Sequence, residues 1–285
     1  MIISLNTSQR SCINGTLALG VSMGVYDKLK EERVGYTVVN AQGLEMTCVE
    51  YNNALNIVVE FKNPYYRVDS NWGNFTKGKI RNPYLPTIYG VGIVGNKYKT
   101  RDSEYNQIKE YQAWCDMLFR TYGCTYDNSR RAKYIDCYVC NEWLYYENFY
   151  EWLHSQYNFD KWLNGKRWCL DKDILYNNNK MYAPDKCCLV PNNVNTLFVK
   201  RDAARGELPI GVQKNHDRFC ALCSNPINKK YEYFGTFDTP EEAFMAYKNG
   251  KENIIKQVAQ IEFNAGNITQ PCYNAMLDYK VNITD

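Results

Sequence analysis

From residue 33 the chain runs in short apolar stretches separated by turn formers. Val38-Val39, Met46 to Tyr51 and Leu55 to Phe61 are rich in β-branched and aromatic residues. Gly43, Asn52-Asn53 and Asn63-Pro64 bound them, so each reads as a strand closed by a turn. Asn74 to Ile80 ends the set, which predicts a small all-β module of five short strands over residues 35–84. Before it, residues 1–34 form an N-terminal segment with a short helix near Tyr26 to Glu32. After it, a Pro- and Gly-rich connector spans residues 85–102 with a small hairpin. Ile108, Tyr111, Trp114, Leu118 and Tyr122 then recur at helical spacing, predicting a helix over residues 103–122. A strand at Cys137 to Cys140 and a helix at Trp143 to Tyr157, with Phe149, Trp152 and Leu153 inward, complete this part.

Residues 169–199 carry the densest set of polar signals. Leu170 to Leu175 reads as a short strand with Asp171 and Asp173 at its centre, and Asn177-Asn178-Asn179 reverses it. Cys187 to Val190 is a second apolar run. Pro191 then suits the first turn of a helix, in which Val194, Leu197 and Phe198 share a face. Strand, loop, strand and helix make a ββα unit within a domain of residues 103–200. The same residues also fit a core hairpin with a solvated acidic turn.

Beyond a basic link at 200–206, residues 206–262 predict three strands and a helix. The strands are Pro209 to Val212, Phe219 to Cys223 and Tyr231 to Gly235. Thr239, Pro240 and Glu242 form a helix-start signature with a capping box. Alternation puts Phe219, Ala221 and Cys223 toward the helix. It leaves Leu222, Ser224, Tyr231 and Tyr233 on the open face, joined by Gln213, Lys214 and Arg218. A tail, 263–285, adds a short helix around Tyr273 to Tyr279. The fold class expected is α+β and multidomain.

Composition changes this picture little. The 285 residues hold 34 Lys and Arg against 31 Asp and Glu, so any surface for a polyanion is a local patch. No apolar stretch is long enough to span a membrane, and the short run Leu17 to Val25 lacks a cleavage pattern, so a cytoplasmic protein is expected. Twelve Cys sit mostly inside apolar periodic segments and read as small hydrophobes rather than zinc ligands. His154 and His216 read as surface residues.

Three resemblances add expectations. The run from Tyr111-Gln112-Ala113-Trp114 through Leu170-Asp171-Lys172-Asp173 to Pro191-Asn192-Asn193-Val194-Asn195 resembles the HNH, or ββα-metal, domain of phage homing-type endonucleases. That implies hydrolysis of duplex-DNA phosphodiesters with Mg²⁺ or Mn²⁺ and no organic cofactor. Asp171 and Asn195 would be the metal ligands, and Asp173 would assist them. Lys172 stands where the family has its base His, and Lys186 where it has an orienting Asn. Lys172 lies between two carboxylates, which favour its charged form, so it reads as a phosphate contact, as does Lys186. A catalytically inert DNA-binding protein on the same scaffold is the alternative. Residues Gly43 to Tyr84 resemble the β-module of phage HNH proteins. Tyr233-Phe234-Gly235-Thr236-Phe237-Asp238-Thr239-Pro240-Glu241-Glu242-Ala243-Phe244 resembles the AP2 DNA-binding domain. The AP2 likeness implies that the open sheet face meets double-stranded DNA, mainly by phosphate and shape contacts; a monomer is expected.

Overall fold

The computed structural model describes residues 24–123, 134, 136–199 and 207–283. They form an α+β protein with several separate sheets. Two compact units divide the chain after Asn82.

In the first unit, helix α1 (Val25–Arg33) leads into strands β1 (Thr37–Val39), β2 (Glu45–Asn53), β3 (Asn56–Lys62) and β4 (Tyr65–Ser70). They pair antiparallel in chain order. Met46, Cys48, Ile57, Val59 and Phe61 are fully buried beneath Phe75 and Ile80. A bulge between Cys48 and Glu50 breaks the period of two, so Tyr51 turns inward while Glu50 pairs with Arg67 outside. The module differs from expectation at its end. The fourth strand is Tyr65–Ser70, in which Tyr66 and Val68 turn inward and Arg67 and Asp69 outward. The run 74–80 instead closes helix α2 (Trp72–Thr76), which Asn71 caps at the Asn74 amide.

The second unit holds two cores. Helix α3 (Lys109–Leu118) starts later than the spacing predicts, because the Asp102 carboxylate accepts the Glu104 and Asn106 amides and holds a turn there. After it come β5 (Tyr138–Val139), a 3₁₀ turn, α4 (Tyr146–Ser155) and α5 (Phe159–Asn164). Trp114, Trp143, Tyr146 and Phe149 are buried among them, and the Trp114 indole donates to the Trp143 carbonyl at 2.7 Å. Ile88, Val91, Val94 and Tyr98 pack on this core, so the connector belongs to the unit it precedes.

The ββα region comprises β6 (Trp168–Asp171), β7 (Met181–Tyr182), β8 (Cys188–Pro191) and α6 (Asn192–Asn195). Beyond it lie β9 (Val212–Asn215), β10 (Arg218–Asn225), β11 (Lys230–Phe237), α7 (Pro240–Asn264) and α8 (Gln270–Asp278). Sequence patterning separates these two regions at 200–206, which lie outside the described residues. Their interiors are nonetheless continuous: Ile174, Val190, Val194 and Leu197 share one core with Ala221, Phe244, Ile255 and Met276. The ββα strands face two ways: Leu170, Tyr182 and Leu189 pack into the core of Trp114 and Trp143, while Cys188 and Val190 close against α7, α8 and the C-terminal sheet. Among the described residues no helix is long and apolar enough to cross a membrane.

Candidate functional site

The ββα unit expected over 169–199 is present, with a shorter first strand. β6 pairs antiparallel with β8, Asp171 opposite Cys188. The strand stops at Asp171 because its Oδ1 accepts the backbone amides of Asp173 and Ile174, each at 2.8 Å, and folds the chain into a turn. Ile174 then drops into the shared core. β7 returns beside β5 in parallel rather than beside β6. Pro191 caps α6 instead of sitting inside it, and a 3₁₀ turn (Thr196–Phe198) follows.

The loop between β6 and β7 is tied by Asn179. Its amide donates to the carbonyls of Lys172 and Met181 at 2.8 and 2.7 Å, and its oxygen accepts the Met181 amide at 3.0 Å. By position Lys186 falls where the HNH family has its orienting Asn, but the side chain that fixes the Lys172 backbone is Asn179. Lys186 sits in the turn after Ala183 and is not among the cleft-lining residues. Lys172 is 8% exposed; its amine donates to Asp173 Oδ1 and the Asn179 carbonyl, both at 2.7 Å. Two acceptors on one ammonium leave a single N–H for any ligand.

Asp171, Lys172, Asp173 and Asn195 all line one open cleft of about 800 Å³. Cys169 and Asp171, two apart on β6, point to the same face, about 7 Å apart along the strand. The Cys169 thiol donates to Asn192 Oδ1 at 3.8 Å, which holds α6 against that face, and Asn195 lines the same cleft as Asp171. Burial pushes the Asp171 carboxyl above its ordinary value of 3.8, against the smaller opposing effect of its backbone hydrogen bonds. Burial likewise raises the Cys169 thiol and the Tyr182 phenol.

Arg120 is the residue that sequence patterning does not single out. It lines the cleft together with Tyr182 and Cys169. Its neighbours in the polar loop, Arg130, Arg131 and Lys133, lie outside the described residues. Neither histidine lines the cleft. His154 stacks between Tyr150 and Phe159, 4.0 Å from each, with Nε2 3.3 Å from Glu110, and His216 occupies a hairpin turn at φ 53°.

Among the described residues no three His, Cys, Asp or Glu side chains are grouped to hold a metal ion. The cleft holds three carboxylates, Asp116, Asp171 and Asp173, and the amide of Asn195, of which the resemblance assigns Asp171 and Asn195 as ligands. Such a set fits a hard cation that keeps most of its water, as Mg²⁺ does, and not an ion that needs a closed cage.

The C-terminal sheet has the order β11-β10-β9, with α7 across one face. Thr239 accepts the Glu242 amide and Glu242 returns the bond, so the predicted capping box forms. Leu222 pairs with Tyr233 and Ser224 with Tyr231 on the open face, where the two tyrosines are 63% and 72% exposed. Gln213 shares that face opposite Cys220, as does Arg218, held by Asp238 at 2.8 Å. Lys214 does not. It pairs with Phe219, which packs on the core, so it belongs to the helix side; adjacent strand residues cannot share a face. The open face is therefore aromatic and polar, with its one arginine balanced by a carboxylate.

Compared with protein-family models, curated proteins and solved structures, the chain finds no match in any of the three.

Proposed function

We propose that this chain is a DNA-binding endonuclease of the HNH type that hydrolyses phosphodiesters of duplex DNA with a divalent metal. The observation that carries the reading is the convergence of Asp171, from the end of β6, and Asn195, from α6, on one cleft. Asp171 and Asn195 would hold the cation. When bound, it would polarise the phosphate and lower the pKa of water. The backbone amides of Asp173 and Ile174 aim the Asp171 carboxylate, and Asn179 keeps the loop below it in place. Lys172, tied to Asp173, offers its remaining N–H to a phosphate oxygen. Removal of a proton from water falls to Asp173 or Asp116, the other cleft carboxylates. The open sheet face supplies DNA contacts through Tyr231, Tyr233, Leu222, Ser224, Gln213 and Arg218.

Plasmid nicking with Mg²⁺ or Mn²⁺ tests the proposal, using Asp171→Ala and Asn195→Ala beside the parent chain. Both changes abolish nicking if the assignment holds; cutting that survives them removes the site. A second reading is a catalytically inert DNA-binding protein on the same scaffold. The engaged Lys172 amine and the absence of histidine from the cleft favour it. Duplex binding without nicking under either metal would select it.

A further inference from the structure

We propose that Glu262, in the last turn of α7, is a positioning residue for the cleft: its carboxylate grips Asn193 and so fixes the one-turn helix α6 that carries Asn195. That Asn195 holds a metal ion rests on the nuclease reading; the grip itself rests on separate geometry.

Helix α6 is four residues long, Asn192–Asn195. Helix nucleation is unfavourable, so a single turn has no stability of its own and takes its direction from what its side chains hold. Successive residues point about 100° apart around such a turn, and each of the four meets a different neighbour. Asn192 is tied to β6 and the residue before it, its amide donating to the Arg167 carbonyl at 2.8 Å and its Oδ1 accepting the Cys169 thiol at 3.8 Å. Val194 is fully buried in the core shared with α7 and α8. Asn195 lines the cleft, and Asn193 donates to Glu262 Oε1 at 2.6 Å. Asn193 and Asn195 stand about 200° apart around the helix, so Glu262 restrains the face opposite the one that serves the cleft.

Glu262 is itself held in place. It is 8% exposed, and its second oxygen accepts the Asn267 amide at 2.7 Å. Among the described residues no cation lies within salt-bridge distance of it. A buried carboxylate without a cation stabilises a fold poorly, whereas two charge-assisted hydrogen bonds fix direction well. Asn267 Oδ1 in turn accepts Lys161 Nζ at 3.1 Å, and the Asn267 carbonyl accepts the Asn158 amide at 2.9 Å. The same Asn158 amide reaches the Leu189 carbonyl of β8 at 2.9 Å. The turn after α7 is thereby fastened to α5 and β8, and Glu262 is aimed from it at α6. Because α7 runs 25 residues from beneath the C-terminal sheet, one helix joins the sheet that the nuclease reading lays on DNA to the turn that carries Asn195.

The test uses the full chain. Glu262→Ala removes the grip, and Glu262→Gln keeps its shape but turns an N–H toward one of the two donors. Glu262→Gln combined with Asn193→Asp swaps donor and acceptor and restores the bond. In EDTA, amide hydrogen exchange of residues 192–198, read by mass spectrometry, speeds up by about tenfold in Glu262→Ala and returns to within about threefold of the parent in the swapped pair. In plasmid nicking with Mg²⁺, Glu262→Ala lowers kcat by about tenfold or more with KM for DNA within about twofold, and the swapped pair recovers most of the loss. Met276→Ala, a core truncation on α8, is the control: it lowers the urea midpoint without that loss of kcat. Unchanged exchange at 192–198 in Glu262→Ala, a kcat no lower than in Met276→Ala, or a swapped pair no better than Glu262→Gln alone overturns the assignment. If circular dichroism shows Glu262→Ala unfolded, Glu262→Gln and the swapped pair decide it. A parent that never nicks, but in which Glu262→Ala frees 192–198 and the swapped pair restores it, keeps the grip and removes the nuclease reading. Nicking at the parent rate in Glu262→Ala removes this assignment alone.

Discussion

Replacing Asp171 by Asn separates what this carboxylate does for the fold from what it does for an ion. The residue is 8% exposed and its carboxylate accepts two backbone amides at 2.8 Å. An amide oxygen of the same shape keeps both hydrogen bonds but loses their charge assistance, about 1 kcal/mol for each. Against that loss of roughly 2 kcal/mol stands the relief of an enclosed charge, which is several kcal/mol after relaxation. Asp171→Asn therefore stabilises the metal-free protein at pH 7, by about 1 kcal/mol or more. The pH dependence has a definite sign. Burial raises the folded pKa, so the stability Asp171 contributes is complete below its ordinary value of 3.8 and is lost as pH rises through the folded value. The advantage of Asn over Asp accordingly widens from pH 4 to pH 7. Adding Mg²⁺ reverses the order: at about 100 times its Kd it stabilises the parent by about 2.7 kcal/mol and the variant by much less. Urea denaturation in EDTA and in Mg²⁺, at both pH values, measures all three effects. A variant less stable than the parent in EDTA at pH 7, or an equal Mg²⁺ shift in both proteins, refutes the reasoning.

Three further outcomes are expected. Asn179→Ala removes three hydrogen bonds from the β6–β7 loop and lowers stability by about 2–3 kcal/mol, read from urea midpoints; a loss under about 0.5 kcal/mol would mean that Asn179 does not staple the loop. Tyr231→Ala and Tyr233→Ala each weaken duplex binding by about tenfold in fluorescence anisotropy without altering the melting temperature, whereas Lys214→Ala, on the other side of the sheet, changes it less than about twofold. Gly211→Ala strains a residue at φ 76° and sets its Cβ 2.0 Å from the Tyr247 ring, so it costs about 2–4 kcal/mol of stability, measured by thermal melting.

Local chemistry is where sequence reading succeeded. The capping box at Thr239 and the inward set of Val194, Leu197 and Phe198 each depend on residues within a few positions and appear as read, whereas the run expected as strand to Leu175 is strand only to Asp171. Reading failed where one residue shifts a phase. Lys214, expected on the open face beside Gln213, lies on the other side, because neighbours on a strand face opposite ways. The candidate site divided along the same line. Asp171, Asp173 and Asn195 stand out as polar residues in an apolar pattern. Arg120, about 50 residues upstream on a helical face, carries no such mark.

By itself the sequence determined which segments become strand, turn or helix and which polar residues interrupt them, because propensity, capping and alternation act over a few residues. Tertiary structure alone decided that the π-turn after α3 sets Arg120 in the lining of the cleft that Asp171 and Asn195 share, and that Asn179 rather than Lys186 holds the loop. It also decided that the ββα unit and the C-terminal sheet close over one interior. Those outcomes depend on which apolar faces must cover one another, and that requirement is met only by residues far apart in the chain.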